Sequence, residues 1–104
     1  MNDGGGCSNL GLSYEKGKGV KQDDFKALKF YQKACDLNFN GGCSQLGLMY
    51  KKGKGVKQDD FKAFKFYQKA CDLNFSGGCS QLGLMYEKGK GVKIQSTQVF
   101  PKGV

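Results

Sequence analysis

The sequence of 104 residues contains no histidine, no arginine and no tryptophan, and it has a single proline. Histidine is the commonest general base and the commonest zinc ligand, so its absence argues against an enzyme and against a metal site. Seventeen lysines stand against nine acidic residues, but lysine cannot grip phosphate or guanine bidentately as arginine does. We therefore expect no specific nucleic-acid partner, no metal and no cofactor.

Long apolar runs are also missing from the chain. No run approaches the roughly 18 residues that are needed to cross a bilayer, so we expect no membrane span. The first residues, from Met1 to Gly6, lack the basic region followed by an apolar stretch that marks an export signal. We therefore expect no signal peptide in this chain.

A 36-residue repeat dominates what the sequence does contain. Residues 7–42 and 43–78 are identical at 31 of 36 positions, and a partial third copy occupies residues 79–93. A fixed period of this length is typical of a solenoid, in which neighbouring units stack to build one core. We predict a repeat array over residues 1–93, followed by a divergent tail over residues 94–104.

Each repeat is predicted to be a helical hairpin. In the second copy, apolar and small residues recur at helical spacing from Cys43 to Tyr50, and the glycines that follow end this helix. Asp59 and Asp60 predict the cap of a second helix, which is apolar enough to need cover on two sides. Turns at Asn38 to Gly42 and at Asn74 to Gly78 close the units. The fold class is therefore all-α, an αα-hairpin solenoid of about two and a half repeats.

Five cysteines stand at positions 7, 35, 43, 71 and 79. Eight residues along one helix would separate two Cα atoms by about 12 Å, too far for a disulfide, but the predicted turn folds the chain back. Cys35 with Cys43, and Cys71 with Cys79, are therefore predicted to form disulfides, each worth about 2 to 3 kcal/mol. Buried free thiols and a metal site are the alternatives for these cysteines.

Cys7 is predicted to be an unpaired thiol, because its partner position would precede Met1. The chain also starts inside a repeat, since Met1-Asn2 aligns with Leu37-Asn38. These two observations predict a fragment of a longer array. A non-functional remnant of a longer paralogue is therefore one interpretation of the chain.

The second copy resembles the Sel1-like repeat in the motif Leu46 to Val56 and in the residues Asp60, Lys62, Ala63, Tyr67, Lys69 and Ala70 that follow it. With cysteine at Cys43 and Cys71, the unit is similar to the Helicobacter cysteine-rich proteins of that family. The resemblance implies an αα-solenoid akin to tetratricopeptide arrays, disulfides between successive helices, a secreted or periplasmic location and an adaptor role. For some relatives it also implies weak β-lactamase activity, with a β-lactam or cell-wall-like ligand.

Ser13 and Lys16 are the catalytic candidates, because Ser13-Tyr14-Glu15-Lys16 matches the Ser-x-x-Lys pattern of serine β-lactamases. Neither the Ser-Asp-Asn nor the Lys-Thr-Gly element accompanies it, and the later copies have Met49 and Met85 in place of Ser13. A serine on a helix surface is the simpler interpretation of this tetrapeptide.

A partner-binding groove is the other candidate site. First helices line the concave side of tetratricopeptide-like arrays, so the resemblance points to one stripe of these helices, off the core stripe, as a groove for a protein or peptide segment. The predicted partner-binding residues are Asn9, Ser13, Gln45, Met49, Gln81 and Met85. Our leading hypothesis is an extracytoplasmic protein-binding or scaffold module, with β-lactamase activity as the alternative.

Overall fold

The computed structural model describes residues 3–89, which form five α-helices and no strand. Consecutive helices pack against each other, so that α2 lies against both α1 and α3, and α4 lies against both α3 and α5. The predicted all-α solenoid of αα-hairpins is confirmed. The helices are α1 Gly4–Lys16, α2 Asp24–Asp36, α3 Asn40–Lys52, α4 Asp60–Asp72 and α5 Ser76–Lys88.

The turn inside each hairpin follows from local chemistry. Gly53 ends α3 in a left-handed conformation, with a φ of 72°, which strains any residue that carries a Cβ atom. Asp59 then caps α4, because its side chain accepts a hydrogen bond of 3.0 Å from the backbone N–H of Lys62. Gly17 and Asp23 do the same in the first hairpin. The glycine stop and the acidic cap are thus as the sequence predicts.

The turn between hairpins differs from the prediction. Helix α3 already begins at Asn40, so most of the predicted turn over residues 38–42 is helical. Asn38 makes the turn, with a φ of 63°, a left-handed conformation that asparagine tolerates better than most side chains. Gly42 lies in α3, where a Cβ atom would come within 2.5 Å of the Cβ atom of Ala34. Glycine is needed here for close helix packing and not for the turn itself.

This close approach brings the cysteines together. Cys35 and Cys43 form one disulfide and Cys71 and Cys79 form another, with Cα–Cα distances of 4.4 and 4.6 Å. Both predicted pairs are confirmed, and each ties a second helix to the first helix of the next hairpin. Cys7 is a buried free thiol.

One continuous core joins the hairpins. Tyr31 and Tyr67 are among its largest fully buried side chains, and each ring lies across a glycine of the first helix of its own hairpin. The second helices are covered on two sides, as predicted. Their outer sides face solvent, where Phe25 and Phe61 are 58% and 54% exposed.

Candidate partner-binding groove

The first helices of the hairpins lie on the inner side of the array. Helix α1 contacts α3 directly, although α2 comes between them in the chain. The corresponding second helices, α2 and α4, make no comparable contact, and both lie entirely within the described residues. Because α1 and α3 are closer together than α2 and α4, the side of the first two hairpins that carries the first helices is the concave one.

The predicted partner-binding residues fall into two groups. Asn9 is exposed, and Ser13, Gln45 and Gln81 are partly buried, so a partner can reach all four side chains. Asn9, Gln45 and Gln81 occupy the same position in three successive repeats. A carboxamide therefore recurs once in each first helix.

Met49 and Met85 are 1% and 2% exposed, so their predicted place off the core stripe is wrong. Each stands three residues after a buried leucine, which in α3 is Leu46. No described helix precedes α1, and there the equivalent Leu10 is 45% exposed. The side of a first helix that carries this leucine and this methionine therefore faces the second helix of the preceding hairpin. Ser13 replaces the methionine in α1, where that neighbour is absent from the described residues.

A polar cluster on the first repeat surrounds Glu15, a residue that the sequence did not single out as functional. The hydroxyl of Tyr31 donates a hydrogen bond of 2.8 Å to Oε1 of Glu15. Lys54 Nζ lies 2.9 Å from Oε2 of the same carboxylate. The side chain of Gln45 also interacts with the Tyr31 hydroxyl. Both oxygens of the Glu15 carboxylate are therefore engaged by donors of this chain.

The pKa shifts in this cluster follow from burial and from these bonds. Burial favours the neutral form of Glu15, but the hydrogen bonds from Lys54 and Tyr31 and the charge of Lys54 outweigh it, so the pKa lies below its usual 4.5. Burial, and then the bond to Glu15, raises the pKa of Tyr31. The bond to Glu15 likewise raises the pKa of Lys54. At neutral pH the cluster thus holds a carboxylate, a phenol and an ammonium group.

The second repeat places a lysine where the first repeat has Glu15. Lys51 is partly buried, and its Nζ donates a hydrogen bond of 3.2 Å to Oε1 of Gln81 on α5. Since Gln81 is neutral, this bond orients the ammonium group without cancelling its charge. The sequence showed that Glu15 and Lys51 differ between copies, and that difference was the available signal for both residues.

Ser13 and Lys16, the two catalytic candidates, lie one helical turn apart at the end of α1. Ser13 is partly buried and Lys16 is exposed in the last turn of α1. Within residues 3–89, no hydrogen bond joins the two side chains. The Ser13 carbonyl instead accepts the backbone N–H groups of Gly17 and Lys18 that close the helix.

Among residues 3–89, no three histidine, cysteine, aspartate or glutamate side chains lie together as metal ligands would. None of the five helices is both long and apolar enough to cross a membrane.

The geometry defines a disulfide-linked αα-hairpin solenoid with a polar inner side. The sequence profile of the Sel1 repeat matches residues 5–39, 41–75 and 76–96, which is most of the chain. The chain therefore belongs to the Sel1 repeat family. Repeats of this family typically mediate protein interactions. A search of curated protein sequences finds no match.

Solved structures resemble the chain closely. A protective antigen present in uropathogenic Escherichia coli strains, which displays an SLR fold, is 34% identical with a TM-score of 0.83, over 86% of this chain and 19% of that chain. A Sel1 repeat protein from Oxalobacter formigenes is 30% identical with a TM-score of 0.84, over 86% and 37% of the two chains. Helicobacter pylori cysteine rich protein B is 46% identical with a TM-score of 0.74, over 76% and 59%. The chain thus spans less than two thirds of each of these proteins.

Proposed function

We propose that the chain is an extracytoplasmic module that binds an extended protein or peptide segment along its inner side. The observation that carries this proposal is the recurrence of Asn9, Gln45 and Gln81 at one position in three successive first helices. A carboxamide both donates and accepts hydrogen bonds, so it can pair with the N–H and C=O groups of a peptide backbone. One such group in each repeat suits a segment that runs along the array.

Substitution of the carboxamides tests this proposal. Peptides selected from a random library against the oxidised protein should bind about 2- to 12-fold more weakly to Gln45→Ala and to Gln81→Ala, since each change removes a hydrogen bond worth about 0.5 to 1.5 kcal/mol. Fluorescence polarisation measures the affinity, and circular dichroism shows that each variant is folded.

Two matched controls lie on the second helices. The side chains of Gln32 and Gln68 bond to Asp36 and Asp72 of their own helices, away from the inner side. Gln32→Ala and Gln68→Ala should leave the affinity unchanged. Equal losses in inner and outer variants, or no loss in any of them, would contradict binding along the inner side.

The extracytoplasmic location is supported by the cysteines. Four of the five form disulfides, which persist in oxidising compartments and are rare in the cytosol. In cells that produce the protein natively, acid quenching followed by alkylation under denaturing conditions should label one thiol per chain. A chain labelled at all five cysteines would contradict this part of the proposal.

A further inference from the structure

The inner side of the second repeat reproduces the Glu15 cluster without an acid of its own. In the first repeat, the chain shows which group this place holds, because Tyr31 and Lys54 bind both oxygens of the Glu15 carboxylate. One repeat further along, the places of Glu15, Tyr31 and Gln45 are taken by Lys51, Tyr67 and Gln81. The tyrosine and the carboxamide recur, the counterpart of Lys54 lies outside the described residues, and the carboxylate is replaced by an ammonium group.

Lys51 and Tyr67 keep donors that no acid among the described residues occupies. An ammonium group has three N–H donors, and Lys51 uses one of them on Gln81. No carboxylate among the described residues forms a salt bridge with Lys51. The ring of Tyr67 is fixed in the core, at 1% exposure, with its edge on Gly47. Its hydroxyl has no acceptor among residues 3–89, and burial raises its pKa to about 12, so it remains a donor.

The charge around this place is also favourable to an acid. The chain carries a net charge of +8. The first helices carry two acids. Glu15 is neutralised by Lys54. Glu87 lies with Cys79 and Gly83 on a surface of α5 that does not include Gln81. A carboxylate that approaches Lys51 therefore meets positive charge and hydrogen-bond donors.

We propose that Lys51 and Tyr67, with Gln81 orienting the lysine, bind an aspartate or glutamate side chain of the partner segment. This inference rests on the proposed function and specifies the chemistry of the segment, which is acidic. The partner's carboxylate pairs with the Lys51 ammonium group, as Glu15 pairs with Lys54 in the first repeat. The partner backbone meets the carboxamides of the same side.

The test compares two short fluorescein-labelled peptides, one in which glutamate alternates with serine and one in which glutamine alternates with serine. Polarisation at low salt should show that the glutamate peptide binds about tenfold more tightly, as expected for a hydrogen bond to a charged group. Lys51→Gln should remove most of that preference, and Tyr67→Phe should reduce it about threefold. Lys51→Glu, which restores an internal acid, should abolish it.

Lys65→Gln is the matched control, because it removes the same charge from the outer side of α4, where Lys65 lies over the Phe61 ring. It should change the affinity less than about twofold. If Lys65→Gln and Lys51→Gln weaken binding equally, the glutamate peptide is attracted by the net positive charge of the chain and not by Lys51, and the inference is wrong. If both peptides bind alike and still depend on Gln45, the proposed function stands without this inference. If neither peptide responds to any inner-side variant, both fail.

Discussion

At the scale of single residues, one glycine position of the repeat meets two different environments. A Cβ atom on Gly11 would lie 2.8 Å from the ring of Tyr31, and one on Gly47 would lie 3.1 Å from the ring of Tyr67. A Cβ atom on Gly83 would meet no atom within 4 Å. The same residue type is thus required by close packing in the first two repeats and not by the described surroundings in the third.

This difference predicts opposite effects of one substitution. Gly11→Ala should destabilise the protein by about 1 to 3 kcal/mol, because the buried and hydrogen-bonded Tyr31 cannot move away without strain. Gly83→Ala should stabilise it by up to about 1 kcal/mol, since alanine is the better helix former where nothing is displaced. Urea unfolding of the oxidised proteins measures both changes. A loss of stability in both variants would show that the Gly83 surface is packed.

At the scale of helices, the sequence predicted what depends on neighbouring residues in the chain. The helix stop and the acidic cap need only the local backbone. The stop at Gly53 and the cap at Asp59 both fall within the short segments, 53–55 and 59–60, that the pattern indicates. The start of α3 needs more than that. The glycines after Asn38 look like a turn in the sequence. They belong to α3 instead, where Gly42 packs closely against Ala34 of α2. That contact is tertiary, and no local pattern reveals it.

The residues of the candidate site were likewise predictable where they depend on helical spacing, and not where they depend on tertiary contacts. Helical spacing shows which residues share a face, and the carboxamides at Gln45 and Gln81 are accessible on that basis. The spacing does not show how far the preceding hairpin wraps around a face, so Met49 was misplaced. The bond between Glu15 and Lys54 joins residues 39 positions apart in different repeats. Such a pair becomes visible only when the hairpins are stacked.

At the scale of the whole molecule, polar contacts between hairpins supplement the shared core and the disulfides. Lys54, in the turn of the second hairpin, reaches Glu15 of the first. Beside it, Gly55 fits closely over the backbone of Asp24, where a Cβ atom would be 2.5 Å from the carbonyl oxygen. The stability of a solenoid is approximately a sum of repeat terms and of such nearest-neighbour terms. One of these neighbour terms depends on the charge of Glu15.

The Glu15 link should therefore make stability depend on pH. The folded state lowers the pKa of Glu15, so the stabilisation is fully present above the unfolded value, near 4.5, and is lost as the pH falls through the folded value. Lys54 is 38% exposed on its side chain, and solvent screening limits the effect to about 1 kcal/mol. Wild type should be more stable than Glu15→Gln by this amount near neutral pH, and the gap should close in strong acid.

Glu87→Gln is the matched control for this pH dependence, because it removes an exposed carboxylate from the same repeat position on α5. Urea unfolding of the three proteins across the acid range gives the comparison. Protonation of the remaining carboxylates affects all three alike, so only the differences between them report on the link. A gap between wild type and Glu15→Gln that persists unchanged into strong acid would mean that Glu15 joins the hairpins by shape and hydrogen bonding, independently of its charge. If Glu87→Gln lowered the free energy of unfolding by the same amount, the effect of Glu15→Gln would not be due to the ion pair with Lys54.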